Sequence, residues 1–157
     1  MPNNIGEFNT PLGIPEVVKT GTDLTLVSYG STFNLCEVAV KQLTELGISV
    51  ELIDVQTLLP FDINHTIAES LKKTNRLLIV DEDVSSGATA FMLDKILVEQ
   101  KGYNFLDSAP ATLSAKDHRP AYGSDGDYFS KPSIEDIVET AYGIMNESDP
   151  KGFPPIY

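Results

Sequence analysis

The sequence predicts a three-layer α/β/α sandwich built on a mostly parallel five-stranded sheet, and three observations lead there. Aliphatic and β-branched segments alternate with segments of helical period, in the order strand, strand, helix, strand, helix, strand, helix, strand, helix. The stretch Arg76-Leu77-Leu78-Ile79-Val80-Asp81 is nearly continuous in apolar residues, the mark of a strand covered on both faces. A length of 157 residues, 41% of them hydrophobic, suits one domain with a core of its own. Strands joined through helices are parallel by right-handed crossovers. The link from the first strand to the second, Thr20 to Asp23, is too short for a helical crossover. The first strand is therefore antiparallel to its sequence neighbour or lies apart from it.

Taken in order, residues 1–15 hold Pro2, Gly6, Pro11, Gly13 and Pro15 without periodicity and read as an extended lead-in. The domain proper is placed at 16–147. Glu16 to Lys19 is the first strand and Leu24 to Ser28 the second, stopped by Tyr29-Gly30. From Ser31 to Leu46 the apolar residues Leu35, Ala39, Leu43 and Leu46 fall on one helical stripe. Asn34 with Glu37 could form its capping box, or Ser31 or Thr32 could cap it, and Gly47 is a good stop. Ile48 to Val55 is the third strand. Asp62 is placed to cap the next helix, lined by Ile63, Ile67 and Leu71 at steps of four. Another helix opens at Ser85-Ser86-Gly87 and runs to about Gln100, with Phe91, Ile96 and Leu97 inward; Ala111 to Ala115 is the last strand. A long loop spans Lys116 to Pro132, and Ser133 caps a final helix with Ile134, Ile137, Val138 and Ala141 on its apolar face. Pro150, Pro154 and Pro155 argue for an extended tail over 148–157.

Charge excludes some function classes. With 23 acidic and 11 basic residues the formal net charge is −12, and only Lys72, Lys73 and Arg76 come close together. A phosphate backbone or an anionic membrane would be repelled. No stretch approaches the ~20 apolar residues needed to span a bilayer, and Met1-Pro2-Asn3-Asn4 opens no secretory signal. The single Cys36 cannot make an internal disulfide, which fits a cytoplasmic protein.

Ligands of such a sheet bind beyond the carboxyl ends of its strands. The sequence Gly30-Ser31-Thr32-Phe33 after the second strand carries one glycine where a dinucleotide site needs several, and no Gly-Lys-Ser/Thr closes a P-loop. Ser85-Ser86-Gly87 could hold an anion at a helix start, but Glu82 and Asp83 beside it would repel one. Two histidines and one cysteine, widely spaced, make no zinc site. Asp125-Gly126-Asp127 fails as a calcium loop, because Ala121 and Lys131 stand where carboxylates are required. Cys36 reads as a small core residue and His65 as a solvent-facing one. Lys116-Asp117-His118-Arg119 follows a strand at the functional edge. It could be an acid/base constellation, a carboxylate clamp, or a polar loop that meets another subunit, and no nucleophile or metal accompanies it. Asp81-Glu82-Asp83 has the acidity of a phospho-acceptor pocket but follows the fourth strand rather than the first, so that reading is set aside.

A set of ordered segments resembles the C-terminal domain of the beta subunit of thiamine-dependent 2-oxo acid dehydrogenases, the transketolase C-terminal type. It opens with Asn9-Thr10-Pro11-Leu12-Gly13 and continues from Val17-Val18-Lys19-Thr20-Gly21-Thr22-Asp23 to Tyr29-Gly30. Leu46-Gly47-Ile48, Val50-Glu51-Leu52-Ile53-Asp54-Val55-Gln56-Thr57-Leu58-Leu59-Pro60-Phe61-Asp62 and Lys72-Lys73-Thr74-Asn75-Arg76 through Glu82 follow. The match is thinner at Leu106-Asp107-Ser108-Ala109-Pro110 and Asp117 to Tyr122, and it spans Asn9 to about Met145.

The resemblance implies a five-stranded sheet whose first strand is antiparallel to the rest. It implies a parent enzyme that uses thiamine diphosphate and magnesium to decarboxylate pyruvate or a branched-chain 2-oxo acid oxidatively. In that family the cofactor lies between two other domains, and Asp125-Gly126-Asp127, preceded by Ser124, is not the Gly-Asp-Gly segment that binds it. No catalytic, cofactor or metal ligand is therefore carried over to this chain. Its implied role is assembly: with the thiamine-binding domains or alpha subunit of the same enzyme, with an acyltransferase core, and into an oligomer. The implied interface residues are Val84, Ser85, Ser86 and Gly87 at a helix start, and Asp117, His118, Arg119 and Tyr122 in the loop after the last strand. Arg119, Gly123 to Asp127 and the Pro154 to Tyr157 end depart from the family pattern. Because the resemblance starts close to Met1, the sequence is expected to be part of a longer polypeptide. The alternatives are a free-standing small-ligand module, or the equivalent domain of a transketolase or pyruvate–ferredoxin oxidoreductase.

Overall fold

The computed structural model describes residues 6–7, 9–119, 122–123 and 125–155. Its strands are β1 (Glu16–Lys19), β2 (Leu24–Ser28), β3 (Val50–Asp54), β4 (Leu77–Val84) and β5 (Ala111–Ala115). The helices are α1 (Gly30–Glu45), α2 (Thr66–Thr74), α3 (Ala88–Leu93), α4 (Gly126–Ser130) and α5 (Ile134–Ser148). One sheet holds all five strands in the order β1-β3-β2-β4-β5. The pairs β2–β3, β2–β4 and β4–β5 are parallel, and β1 runs antiparallel to β3. This is the α/β/α sandwich with an antiparallel first strand.

The short link after β1 is satisfied by the second of the two arrangements open to it, because β3 lies between β1 and β2. Two inter-strand steps are ~9.6 Å, and four extended residues reach ~13 Å. The link crosses the amino end of β3 so closely that a Cβ on Gly21 would lie 2.1 Å from the carbonyl carbon of Val50. Only glycine passes there. Thr22 and Asp23 both donate their amides to the Ser49 carbonyl, at 3.0 and 2.8 Å.

β2 is central and buried at every position. Alternation along the strands divides the core in two. Leu24, Leu26, Val50, Leu52, Leu78 and Val80 pack under α1 and α5, whose Cys36, Ala39, Leu43, Ile137 and Ala141 cover them. Val27, Ile53, Leu77 and Ile79 pack on the other face against Ile67 and Leu71 of α2 and Met92 and Ile96. That second face also buries a polar cluster. The Thr25 hydroxyl bonds those of Ser70 and Thr74, Ser70 donates to Glu51 at 2.9 Å, and Lys73 pairs with Glu51 at 2.5 Å.

Several boundaries differ from the sequence expectation. α1 has Tyr29 at its N-cap with no side-chain cap; neither Asn34–Glu37 nor Ser31 or Thr32 caps it, because Gly30 at φ +64° turns the chain straight from strand into helix. α2 begins at Thr66, so Ile63 is exposed rather than on its stripe. Asp62 still caps it, from four residues upstream, accepting from the amides of Thr66 and Ile67 at 2.8 and 2.9 Å. β4 runs on to Val84, which pairs with Ala115, and the following helix starts at Ala88 and widens to a π-helical stretch over Asp94–Glu99. The loop expected over Lys116 to Pro132 contains α4, anchored where Lys116 donates to the Ser130 carbonyl at 2.9 Å. Ser133 and Asp136 form a reciprocal capping box on α5.

The expected extended tail is instead a turn. Phe153 donates to the Asp149 carbonyl at 2.9 Å, its ring meets Tyr142 edge-on at 6.0 Å, and Asn146 donates to its carbonyl at 2.6 Å. Burying Phe153 against α5 outweighs the extended bias of the prolines. In the lead-in, Gly13 donates to Thr57 Oγ1 at 2.7 Å and accepts from the Ile63 amide at 2.9 Å. The remainder of both terminal segments, residues 1–5, 8 and 156–157, lies outside the described residues, as do Pro120, Ala121 and Ser124.

Candidate functional site

The strand order reverses between β2 and β4: the chain leaves β2 for β3 on one side and returns to β4 on the other. Such a reversal opens a crevice beyond the carboxyl ends of the two strands. Tyr29 and Asp81 meet there, the phenol donating to Asp81 Oδ2 at 3.2 Å, while the Glu82 amide donates to Asp81 Oδ1 at 2.8 Å. Burial pushes the Asp81 carboxyl above its ordinary range against those hydrogen bonds, and Asp83 adds a smaller push. Burial, then the Asp81 charge, raises the Tyr29 phenol to about 12.

Next to this pair, Ser31 Oγ donates to Glu82 Oε1 at 2.8 Å and Lys131 Nζ lies 2.9 Å from Glu82 Oε2. The hydrogen bonds from Lys131 and Ser31 hold Glu82 below the usual carboxylate range, and the Glu82 contact holds Lys131 above the usual amine range. A cleft of about 540 Å³ opens beside them, lined by Leu35, Tyr128, Pro132 and Ile134 with Ser31 and Glu82 at its rim. A carboxylate so stabilised is a weak base, and Ser31 has no imidazole to activate it.

The eight expected interface residues gather at neighbouring strand ends, because Val84 pairs with Ala115 across β4 and β5. Val84, Ser85, Ser86, Asp117, His118, Arg119 and Tyr122 are exposed and Gly87 is half-buried. Ser86 takes φ +65°, and a Cβ on Gly87 would meet Asp83 Oδ2 at 2.5 Å and the Val84 carbonyl oxygen at 3.0 Å, so the carboxylate would have to turn aside for a larger residue. His118 Nδ1 lies 2.9 Å from the Arg119 carbonyl oxygen, and its amide donates to the Lys116 carbonyl at 2.7 Å. Arg119 bonds the Tyr122 hydroxyl and stacks on its ring, 4.8 Å from the centroid. Among the described residues, the hydrogen bonds of His118 are those of its own loop's turn. His65, at the start of α2, is also exposed.

Cys36, on the inner face of α1, is fully buried, and burial drives its thiol up to about 12, which disfavours the reactive thiolate. Among the described residues no group of three or more His, Cys, Asp or Glu side chains is arranged to hold a metal ion. No helix of the described residues is long and apolar enough to cross a membrane.

Sequence reasoning missed part of this end of the molecule. Leu12, Leu59 and Ile63 surround the turn after β3, and Tyr128 and Phe129 project from α4; all are more than half exposed, as are Val84 and Tyr122. The available signal was local: the pairs Leu58-Leu59 and Tyr128-Phe129 place bulky apolar residues in segments that fit no core-facing stripe.

A family model described as "Transketolase, C-terminal domain" matches residues 13–132. The pyruvate dehydrogenase E1 component subunit beta of Acholeplasma laidlawii is 40% identical over 131 residues, 83% of this chain and 39% of that protein. The acetoin:2,6-dichlorophenolindophenol oxidoreductase subunit beta of Bacillus subtilis is 37% identical over 143 residues, 89% of this chain and 40% of that protein. A solved structure described as a split gene transketolase, inactive beta4 tetramer, has the same fold: TM-score 0.71, 21% identity, 89% of this chain and 44% of that one. The chain spans about two fifths of the length of these curated relatives.

Proposed function

Because this chain belongs to the transketolase C-terminal domain family, we propose that it is the C-terminal assembly domain of the decarboxylating component of a 2-oxo acid dehydrogenase. The parent enzyme is a thiamine-diphosphate-dependent oxidoreductase acting on pyruvate or a branched-chain 2-oxo acid. The names of the relatives support this, since they are pyruvate dehydrogenase, 2-oxoisovalerate dehydrogenase and acetoin oxidoreductase beta subunits.

One observation carries the assembly role. Among the described residues, the carboxyl end of the sheet displays seven exposed large apolar side chains on either side of a crevice. Exposed apolar area of that kind marks a surface made to be covered. Its partners are the thiamine-binding domains or alpha subunit of the same enzyme, and an acyltransferase core at the loop from Asp117 to Tyr122. Val84 to Gly87 pack against the first of these. The buried reduced Cys36 supports a cytoplasmic site of action.

The residues at the crevice do not fit thiamine diphosphate. Asp81, Glu82 and Asp83 would repel the diphosphate, and Lys131 is already held by Glu82. The cofactor belongs to the parent enzyme's other domains, and this chain's residues contribute by holding those domains together.

Co-expression with the thiamine-binding domains and alpha subunit of its enzyme tests the reading. A stable complex and 2-oxo acid decarboxylation are expected to appear together. Failure to associate, or turnover by the purified chain alone, contradicts it. The second reading, a free-standing small-ligand module, has the 540 Å³ cleft in its favour. Calorimetric titration of the isolated chain with nucleotides and 2-oxo acids separates the two, the assembly reading expecting no heat of binding.

A further inference from the structure

β1 is an edge strand whose charges find no ionic partner among the described residues. Among the described residues it pairs only with β3, and its outer side is unpaired. Val17 and Val18 at its centre are 37% and 42% exposed. An irregularity between Val17 and Lys19 puts Val18 out of register, so Glu16 lies opposite Asp54 and Lys19 opposite Leu52. Asp54 and Leu52 are two positions apart on β3 and share a face, and Glu16 and Lys19 therefore share it too. Without the bulge, residues three apart would point to opposite faces.

Each charge has a neutral partner only. Gln56 Nε2 donates to Glu16 Oε2 at 3.0 Å, and Lys19 Nζ donates to Thr44 Oγ1 at 2.6 Å. Negative charge accumulates at the Glu16 end. The Asp54 carboxyl is pushed above its ordinary range, first by burial and then by Glu16 and Glu37. The single base of the strand stands at its other end.

We propose that β1 pairs antiparallel with β1 of a second copy of this chain, about a two-fold axis near Val17, joining the two sheets into one. In that arrangement Glu16 of each copy faces Lys19 of the other, so one contact is made twice. A parallel pairing would set Glu16 against Glu16 and Lys19 against Lys19. The strand thus carries a charge pattern complementary to itself in one orientation only. A bulge and a lysine commonly blunt an edge strand against association; here the bulge brings the two charges onto one face, where they can be matched. Four residues cover far less than the ~1,200 Å² of a stable specific interface, so the dimer is weak and concentration-dependent. The pairing does not rest on the assembly role, because β1 lies at the opposite edge of the sheet from β5.

Sedimentation of the whole chain across a wide concentration range reads the association directly. The wild type is expected to pass from monomer to dimer. Glu16→Lys and Lys19→Glu each convert two attractive contacts into two repulsive ones and should weaken the dimer roughly tenfold or more. The double substitution in one chain reverses both signs and should restore it, which also shows that the exposed substitutions leave the fold intact. A monomer at every concentration means that the edge charges serve to repel, and overturns the proposal. So does a dimer indifferent to the single swaps, or a double variant that stays monomeric.

Discussion

The two ends of the sheet are closed in opposite ways. At the amino end, several polar groups are matched inside the chain. Asp23 accepts the Ser49 amide at 2.7 Å, and Arg76 donates to the Asp23 carbonyl at 3.0 Å and to Asp107 at 2.8 Å. Asn75 reaches the Phe105 carbonyl at 2.8 Å, and Gly21 lies directly on the β3 backbone. At the carboxyl end, Asp81 is buried at a cost, and Leu59, Tyr122, Tyr128 and Phe129 stand in solvent. The first end is tied together by its own side chains and backbone, with Leu46 and Tyr103 left exposed beside it. The second leaves bulky apolar side chains in solvent beside a crevice, and it is the surface we propose a partner covers.

Substitutions should respect that division. Gly21→Ala drives a methyl into the Val50 carbonyl and is expected to cost about 4 kcal/mol or more, enough to abolish cooperative urea unfolding. Arg76→Ala strands Asp107 and the Asp23 carbonyl and should lower stability by about 2 kcal/mol in the same measurement. At the other end, Leu59→Ser and Tyr122→Ser should each change it by under ~0.5 kcal/mol while weakening association with partner domains. If either carboxyl-end variant unfolded the chain, the contrast between the ends would be lost.

Titration sharpens the same comparison. The folded-state pKa of Tyr29, about 12, lies above its ordinary 10.0. A raised pKa means that the neutral phenol is favoured in the folded state. Its contribution is complete below pH 10.0 and is lost as the pH rises towards about 12. Tyr29→Phe should flatten the stability profile in that alkaline window alone. Asp81 behaves alike at the acid end: its raised pKa contributes stability below its ordinary 3.8, lost as the pH rises through its folded value. The smallest effect belongs to Cys36, whose thiol should resist modification by a disulfide reagent at pH 8 in the native chain and react on unfolding.

Much of the fold was legible because its signals are local. The apolar run of β4, the Ala39 and Leu43 part of the α1 stripe and the Ser133 cap each depend on residues within one or two turns, whereas Leu46, expected on that stripe, stands exposed past the helix end. The place of β1 was not, since a four-residue link leaves open whether another strand intervenes. Nor was the Glu51 cluster, because a glutamate in a buried strand is explained only by Ser70 and Lys73, which come from a helix later in the chain. Family resemblance could single out Val84 to Gly87, which lie exposed or half-buried at and after the end of β4. Leu12, Leu59 and Ile63 could not be singled out, because their exposure follows from the way the lead-in folds over the turn after β3.

Hydrogen–deuterium exchange on the chain, free and in complex with its thiamine-binding partner domains, tests the central claim most directly. The account predicts new protection at residues 82–87, at 117–119 and around Leu59 and Ile63, with the amino-end amides of Thr22, Asp23 and Ser49 unchanged. Protection confined to the amino end, or none at either, would contradict it.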